Sequence, residues 1–300
     1  MEYLKGESVM EVQQLLVFCR TAETLNMTRT GELLGFSQPA VSKQIQQLEG
    51  ELGGQLFVRK GRQLQLTPFG ELILPRAQKI VSQVQELKSE AAQAIDPYQG
   101  RLVVVAGSVT MTYLLPRVLA AYRKQFPKAQ LTVFTGKTTE TVRMVEDGTA
   151  HVGLVSSEVI HARLTVEPLF YDTMAIVAAP DMNPHSMAEL ALGPWLIFAR
   201  GTGFRTYIDQ FFALHGFVPE NVMEMDSIEA LREMAAAGLG YTLLPVRAVS
   251  QAIERGRLCI VQRDKFLPAA RCNSLIYRKE NSFYLKEEFL SLARKILKNQ

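Results

Sequence analysis

The chain has 300 residues, 47% of them hydrophobic and 21% charged, a balance typical of globular proteins that argues against both a disordered chain and a membrane protein. The 33 Lys/Arg against 30 Asp/Glu leave a formal net charge of only +3, and residues 1–95 carry ten of each sign, so any attraction to nucleic acid has to be local. At about 100 to 200 residues per domain, two or three domains are expected.

The longest apolar runs, "LVVVAG" and "AIVAAP", fall well short of the roughly 20 residues that span a bilayer. The first 19 residues carry early acids and an interrupted apolar segment, unlike a secretory signal. A cytoplasmic location without a membrane partner is therefore expected. Cys19, Cys259 and Cys272 form no CxxC, and His151, His161, His185 and His215 are dispersed. Neither metal spacing nor a disulfide framework is present, so no metal site and no cofactor is expected.

In chain order, Val12, Leu15, Leu16, Phe18, Cys19 and Ala22 follow one helical face. A second helix is expected over Met27 to Leu34, stopped by Gly35, which tolerates the left-handed conformation of a helix end. Ser37 can cap a third helix in which Pro39 is harmless, because the first turn has no intrahelical use for the missing N–H. That helix puts Val41, Ile45, Leu48 and Leu52 on one side and Gln38, Ser42, Lys43 and Gln46 on the other, which matches a helix-turn-helix pattern and, on this pattern alone, equally three ordinary packed helices whose polar face meets only water. Leu56, Phe57 and Val58 read as a strand, "RKGRQ" as a turn and "LQLT" as a returning strand. Between Gly53 and Thr67 the charges are Arg59, Lys60 and Arg62, with no acid among them. Such a wing suits phosphate contacts, while the polar face of a recognition helix suits base edges in the major groove.

The stretch "SQPAVSKQIQQLEGELGGQLFVRKGRQLQLTPFGE" resembles the N-terminal winged helix-turn-helix of the LysR-type transcriptional regulators, whose hallmark is SQPAxSxxIxxLExxLGxxLFxR followed by LTxxG. The resemblance implies that Ser37, Gln38, Pro39, Ser42 and Lys43 lie against the major groove. It places Arg29 near the backbone and Arg59, Lys60 and Arg62 in the wing. One departure is the pair Thr30 and Gly31 where relatives usually carry two alanines; glycine inside a helix costs about 1 kcal/mol relative to alanine, so a looser second helix is expected.

Thr67 and Pro68 make a cap and first-turn pair. Beyond them Ile73, Ala77, Ile80, Val84, Leu87, Ala91 and Ala94 recur at steps of four and three, a heptad seam that a single helix cannot bury alone. Pro75 should bend or loosen the first turns. Packing against the chain's own body is the plainer alternative; a partner helix from a second copy is expected, and the resemblance implies the same, giving a homodimer or homotetramer that prefers an interrupted inverted repeat in double-stranded DNA. "DPYQG", residues 96–100, reads as a hinge.

From residue 101 strands and helices alternate. "RLVVVAG", "QLTVFT" and "HVGLVS" read as strands around helices at Tyr113 to Phe126 and Thr138 to Asp147. "WLIFA", "VMEM" and "GYTLLP" read as strands around helices at Thr206 to His215 and Ile228 to Ala237. Alternation of this kind argues a parallel sheet with crossover helices, here in two lobes. The expected architecture is α/β: a winged helix-turn-helix over 9–67, a linker helix over 68–95 and a two-lobed effector domain over 101–300. Lobe I is expected at about 101–178 and 268–300, lobe II at about 179–267.

In open α/β sheets ligands bind beyond the carboxyl ends of strands, where helix N-termini favour anions. Three loops fall there, with Ser108 and Thr110 in the first, Thr135, Lys137 and Thr138 in the second, and Arg200, Thr202 and Arg205 in the third; Ser227 opens a further helix. Hydroxyls, backbone N–H groups and one or two cations suit a carboxylate, sulfate or phosphate; helix capping is the plainer alternative for each loop alone. "RGTGFR" lacks the third glycine of a dinucleotide loop, and no GxxxxGK[ST] occurs.

This segment resembles the LysR-type effector domain, itself similar to periplasmic solute-binding proteins. "LP", "FPKA", "VEDGTAHVGLV" and "EALREMAAAGLGYTLLP" carry the likeness, although most relatives have aspartate where His151 stands. In loop texture the chain looks nearest to the regulators of carbon-fixation and sulfur-assimilation operons. The function expected is a sequence-specific transcriptional regulator that binds a small anionic effector between its lobes and alters promoter bending or contact with RNA polymerase. A cytosolic solute-binding or carrier protein is the alternative. No Ser-His-Asp, Cys-His or paired-carboxylate spacing stands out, so no catalytic residue and no enzyme is expected.

Overall fold

The computed structural model describes residues 10–61, 63–182, 187–216, 218–261, 270–280 and 282–298. The chain divides into two compact units, residues 1–92 with 147–149, and residues 93–146 with 150–300.

In the first unit three helices, α1 (Val12–Thr24), α2 (Met27–Leu34) and α3 (Gln38–Leu52), precede a hairpin of β1 (Phe57–Lys60) and β2 (Gln63–Leu66) and the long helix α4 (Pro68–Ile95). Leu15, Phe18, Val41, Ile45, Leu48, Leu56 and Phe57 form its core. Val17 joins them fully buried, whereas Val12, expected on the inner face, is 41% exposed because it occupies the first position of α1, before the helix meets its neighbours. Asn26 caps α2, its Oδ1 accepting from the Thr28 and Arg29 amides at 3.0 and 3.1 Å. Gly31 is not a loose point: a Cβ there would lie 2.4 Å from the Phe36 carbonyl oxygen, so the missing side chain lets the turn close directly over α2. The neighbouring Thr30 is buried and donates to the Asn26 carbonyl at 3.0 Å.

Glu49 ties α3 to the hairpin, its Oε1 accepting from the Leu56 and Phe57 amides at 2.7 and 3.2 Å. The hairpin is tighter than expected: Arg59 pairs with Leu64 and Lys60 with Gln63, and Gly61 takes the left-handed turn with φ 63°, a conformation glycine adopts without strain. Gly70 lets α4 start against the hairpin, since a Cβ would lie 2.2 Å from the Leu56 carbonyl oxygen. α4 runs unbroken through Pro75. Its seam is used unequally: Ala77 is buried in the core with Ile73 packed beside it, while Ile80 is 38% and Leu87 65% exposed.

The second unit holds two lobes. In the first, β3 (Gly100–Ala106), β4 (Ala129–Thr135), β5 (Val152–Val155), β6 (Thr165–Asp172) and β12 (Arg271–Tyr277) form a five-stranded sheet ordered β4-β3-β5-β12-β6. β3 pairs parallel to β4 and β5, and β12 antiparallel to β5 and β6. Along β3 the side chains alternate between two cores. Leu102, Val104 and Ala106 pack with α6 (Leu115–Gln125) and α12 (Tyr284–Leu297), whereas Val103 and Val105 pack on the side of α7 (Thr138–Glu146). A short helix, α5 (Ser108–Tyr113), occupies part of what reads from sequence as a loop and a longer helix.

In the second lobe β10 (Thr242–Pro245), β7 (Met174–Ala178) and β11 (Cys259–Ile260) pair antiparallel. β8 (Trp195–Phe198) runs parallel to β9 (Val222–Met225) and joins through a bridge from Trp195 to Tyr241. The helices α8 (Met187–Leu192), α9 (Gly203–Leu214), α10 (Ile228–Ala236) and α11 (Val246–Glu254) complete it. Trp195, fully buried, anchors this core and donates from Nε1 to the Leu190 carbonyl at 2.9 Å. Because β7 pairs with β10 and β11, the chain crosses between lobes at Thr173, ahead of the boundary expected at Ala178. Both flanking stretches are apolar and strand-like, so composition cannot mark a crossing that pairing decides.

His151 does its work by accepting a hydrogen bond. Its Nδ1 takes the Val103 amide at 3.0 Å, and the ring stands edge-on to Phe283 at 4.9 Å. Burial, with help from Arg101, Arg278 and Lys286, brings its pKa down to about 4, so the neutral imidazole is the form that fits.

Candidate functional site

α3 presents a continuous polar face. With Val41, Ile45 and Leu48 turned into the core, Pro39, Lys43, Gln46 and Gln47 are exposed, and Gln38 and Ser42 are half-buried. Ser37 begins the helix, its hydroxyl oxygen accepting from the Ala40 amide at 3.4 Å. Arg29 is exposed on α2, and Arg59 and Lys60 are exposed on β1. Among the described residues Arg29, Lys43, Arg59 and Lys60 make no ion pair, so their charge is available to phosphate, where each contact releases counterions. Arg62 lies outside the described residues. A short helix with amide and hydroxyl groups on its outer face, flanked by unpaired cations, has the chemistry of base-edge reading set within backbone anchoring.

In the second unit a cavity of about 320 Å³ lies between the lobes. The first lobe contributes Ser108 and Thr110 of α5, Thr135 at the end of β4, Lys137, Thr138 at the start of α7, and Ser156 after β5; the second contributes Phe198, Thr202, Gly203, Phe204 and Asp226. Thr202 caps α9, its Oγ1 accepting from the Arg205 amide at 3.1 Å. Arg271, the first residue of β12, completes the wall. It is 5% exposed, its guanidinium carbon lies 3.5 Å from the centroid of the Phe204 ring, and burial lowers its pKa to about 9.

From the cavity a chain of hydrogen bonds leads to the lobe crossing. Thr110 Oγ1 lies 3.2 Å from Ser156 Oγ, and Ser156 donates to Asn273 Oδ1 at 2.6 Å. Asn273 Nδ2 donates to Asp172 at 2.9 Å, and Arg247 of the second lobe donates to the same carboxylate at 2.6 Å.

Two family models match the chain, and both belong to one family. Residues 12–71 match the model of the bacterial regulatory helix-turn-helix protein, lysR family, and residues 96–294 match the LysR substrate binding domain. The chain belongs to the LysR-type transcriptional regulators. It is 30% identical over 251 residues to the uncharacterized HTH-type transcriptional regulator YeiE of Escherichia coli K12, covering 82% of this chain and 84% of that one. To the HTH-type transcriptional regulator CysL of Bacillus subtilis it is 28% identical over 258 residues, covering 84% and 86%. Among solved structures, CbnR, a LysR family transcriptional regulator, superposes with a TM-score of 0.72 at 22% identity over 96% of this chain and 99% of that one. A point variant of full-length OxyR from Pseudomonas aeruginosa superposes with 0.69 at 22% identity over 97% of this chain and 95% of that one. The carrier alternative falls with these matches, because the relatives share the helix-turn-helix as well as the rear domain and are named as regulators.

In this LysR-type regulator the cavity gathers six of the nine residues expected to meet an effector, namely Ser108, Thr110, Thr135, Lys137, Thr138 and Thr202. The other three lie off its wall. Arg205 is held by Asp209 at 2.7 Å, by the Phe198 carbonyl at 3.3 Å and by Glu224 at 2.5 Å, which turns its guanidinium onto the α9–β9 surface. Ser227 caps α10 and donates to Glu229 at 3.0 Å, and its neighbour Asp226 lines the cavity instead. Arg200 is exposed. Sequence reading missed Arg271 and Ser156: Arg271 stands far along the chain and enters the cavity only because β12 returns to the first sheet. The available signal was the arginine opening "RCNSLIY", a charge at the head of an apolar strand. Among the described residues no group of His, Cys, Asp and Glu is placed to hold a metal ion, and no helix is long and apolar enough to cross a membrane.

Proposed function

We propose that this regulator binds an interrupted inverted repeat in double-stranded DNA as a homodimer or a pair of dimers, and that a small anion held between its effector lobes sets its activity. Ser37, Gln38, Pro39, Ser42 and Lys43 read the major groove; Arg29, Arg59, Lys60 and Arg62 hold the backbone. The exposed Ile80 and Leu87 of α4 meet their counterparts in a second copy, pairing two recognition helices and hence two half-sites. The effector-binding reading rests above all on one observation: hydroxyl and cationic side chains from both lobes converge on a single cavity. A ligand touching both lobes favours the arrangement in which they meet, and it shifts DNA geometry or RNA polymerase contact only as far as its affinities for the two states differ. The cytoplasm is where such a protein meets its DNA. Support for the DNA side comes from the helix-turn-helix match and from the likeness to full-length CbnR, solved with its target DNA, which superposes with a TM-score of 0.70 at 22% identity.

The test is footprinting of the purified full-length protein on its own upstream region at moderate salt. Two protected half-sites about one helical turn apart are expected, reduced to weak single-site protection by Leu87→Asp. Protection indistinguishable from that of random DNA would defeat the proposal.

A further inference from the structure

One carboxylate stands at the joint between the two lobes with two arginines around it. Asp172, whose side chain is 3% exposed, ends β6 just before the chain crosses. Its Oδ2 accepts from Asn273 of the same lobe at 2.9 Å, and its Oδ1 accepts from Arg247 Nε of the second lobe at 2.6 Å. Arg271 of the first lobe is its direct partner across the antiparallel β12–β6 ladder, where opposed Cβ atoms lie about 4.5 to 5.5 Å apart on one face. Yet the buried Nε of Arg271 has no hydrogen-bond partner among the described residues. Its guanidinium lies instead over the Phe204 ring of the second lobe, 3.5 Å from carbon to centroid. Arg247 in turn lies over the Phe170 ring of the first lobe, at 5.0 Å. Each arginine is thus held across the lobe boundary, while the acid and the arginine that oppose each other in the first sheet stay unpaired.

A buried guanidinium left without a hydrogen-bonded counter-charge is unfavourable. Here the acid opposite it is engaged by an arginine that keeps 24% of its side-chain surface in solvent. If the second lobe turns away, Phe204 and Arg247 leave together. Arg247 then passes into water at little cost, Asp172 Oδ1 comes free, and Arg271 Nε stands opposite it. We infer that Asp172 exchanges partners when the lobes rearrange, bonded to Arg247 where they meet and to Arg271 where they part. The exchange gives the joint two discrete arrangements, each with the carboxylate paired, in place of a continuous range. It makes Arg247 and Arg271 positioning residues of opposite effect: the first favours lobes that meet, the second favours lobes apart. The exchange belongs to the ligand-free protein, and only its use by an effector, which shifts such an equilibrium by its differential affinity, rests on the reading of the cavity above.

The test uses the full-length protein labelled with ¹⁵N-arginine, without ligand. The Nε–H resonances of Arg247 and Arg271 are identified by their loss in Arg247→Lys and Arg271→Lys. In Arg247→Met the Arg271 resonance should move downfield, because its proton gains a charge-assisted bond to the carboxylate. In Arg271→Met the competitor for Asp172 is gone, so the Arg247 Nε–H should exchange with water about fivefold more slowly than in wild type, the low end of a coupling between sites. An arginine that only braces the fold gives the reverse: its loss loosens the joint, and Arg247 exchanges faster. That outcome, or an Arg271 resonance unmoved in Arg247→Met, overturns the inference. A third arm names the partner. With Asp172→Leu added to Arg247→Met the downfield shift should vanish, and a shift that survives belongs to another acceptor and overturns the inference as well. The amides of His151 and Leu196, bonded to the Val103 and Tyr241 carbonyls, report whether each lobe stays folded. Should Arg271→Met lose their protection, the comparison of Arg247→Met with and without Asp172→Leu decides. Every arm is read without ligand, so failure leaves the effector reading of the cavity standing.

Discussion

The helix-turn-helix face of the first unit and the cavity wall of the second hold positive charge in different ways. On the helix-turn-helix face Arg29, Lys43, Arg59 and Lys60 stand in solvent, where each is screened within a Debye length of about 8 Å at physiological salt. Such charges act by number and by counterion release. On the wall of the effector cavity Arg271, 5% exposed, is packed on the Phe204 ring, where water screens it poorly. The contrast separates two arrangements: an exposed array tolerates the loss of one member, whereas the cavity wall carries one buried guanidinium and, among its lining residues, one exposed cation, Lys137.

The strongest way to break the comparison is to remove one unit and ask whether the other still responds. Gly70→Ala places a methyl group 2.2 Å from the Leu56 carbonyl oxygen. It should destabilise the first unit by about 3 kcal/mol and abolish DNA binding. Ligand-induced thermal stabilisation of the second unit should persist, which calorimetry on the full chain would reveal as a separately shifted transition.

A second test concerns a buried group that must stay neutral. The folded pKa of His151, about 4, lies below the ordinary value near 6.5. Its contribution is therefore fully present above pH 6.5 and is lost as pH falls toward 4, since the unfolded chain takes up the proton first. Denaturant unfolding of wild type should lose on the order of 3 kcal/mol more across that window than His151→Asn does. Parallel pH profiles would refute the assignment.

Within the DNA-binding face the comparison can be sharpened by setting groove against backbone. Lys43→Ala should cost about 1 to 3 kcal/mol of discrimination between the operator and altered sites. Arg59→Ala should weaken binding to all sequences and lower the salt slope by about 1. Equal losses on specific and random DNA for both variants would remove α3 from the groove. The smallest effect is expected at Thr202→Ala, which removes the cap of α9 at a cost of about 1 kcal/mol and blunts the effector response while leaving operator affinity unchanged, as measured by titration with and without ligand.

Much of the first unit was legible because its signals are local. The glycine after Leu34, the serine before Gln38 and the apolar steps along α3 each act within a few residues. Two features resisted for the same reason in reverse. Gly31 reads as a weak helix position until the Phe36 carbonyl is seen above it, and the wing turn is tighter than its charged composition suggests because Arg59 and Lys60 pair across the hairpin. In the effector unit the hydroxyl loops were legible from their place after strands. Ser156 and Arg271 were not, since one follows a strand without a turn signal and the other depends on a return crossing from the second lobe.

What the chain decides by itself, then, is the order of its helices and strands, the caps that start them, and the polar face of α3, because periodicity and capping are properties of neighbours in sequence. Tertiary structure alone decides which side of the crossing Met174–Ala178 pairs on, that Arg205 is spent on Glu224 and Asp209, and that Arg271 ends buried beside Phe204. Strand pairing and the burial of a charge depend on residues far apart along the chain, and those meet only when the sheets close.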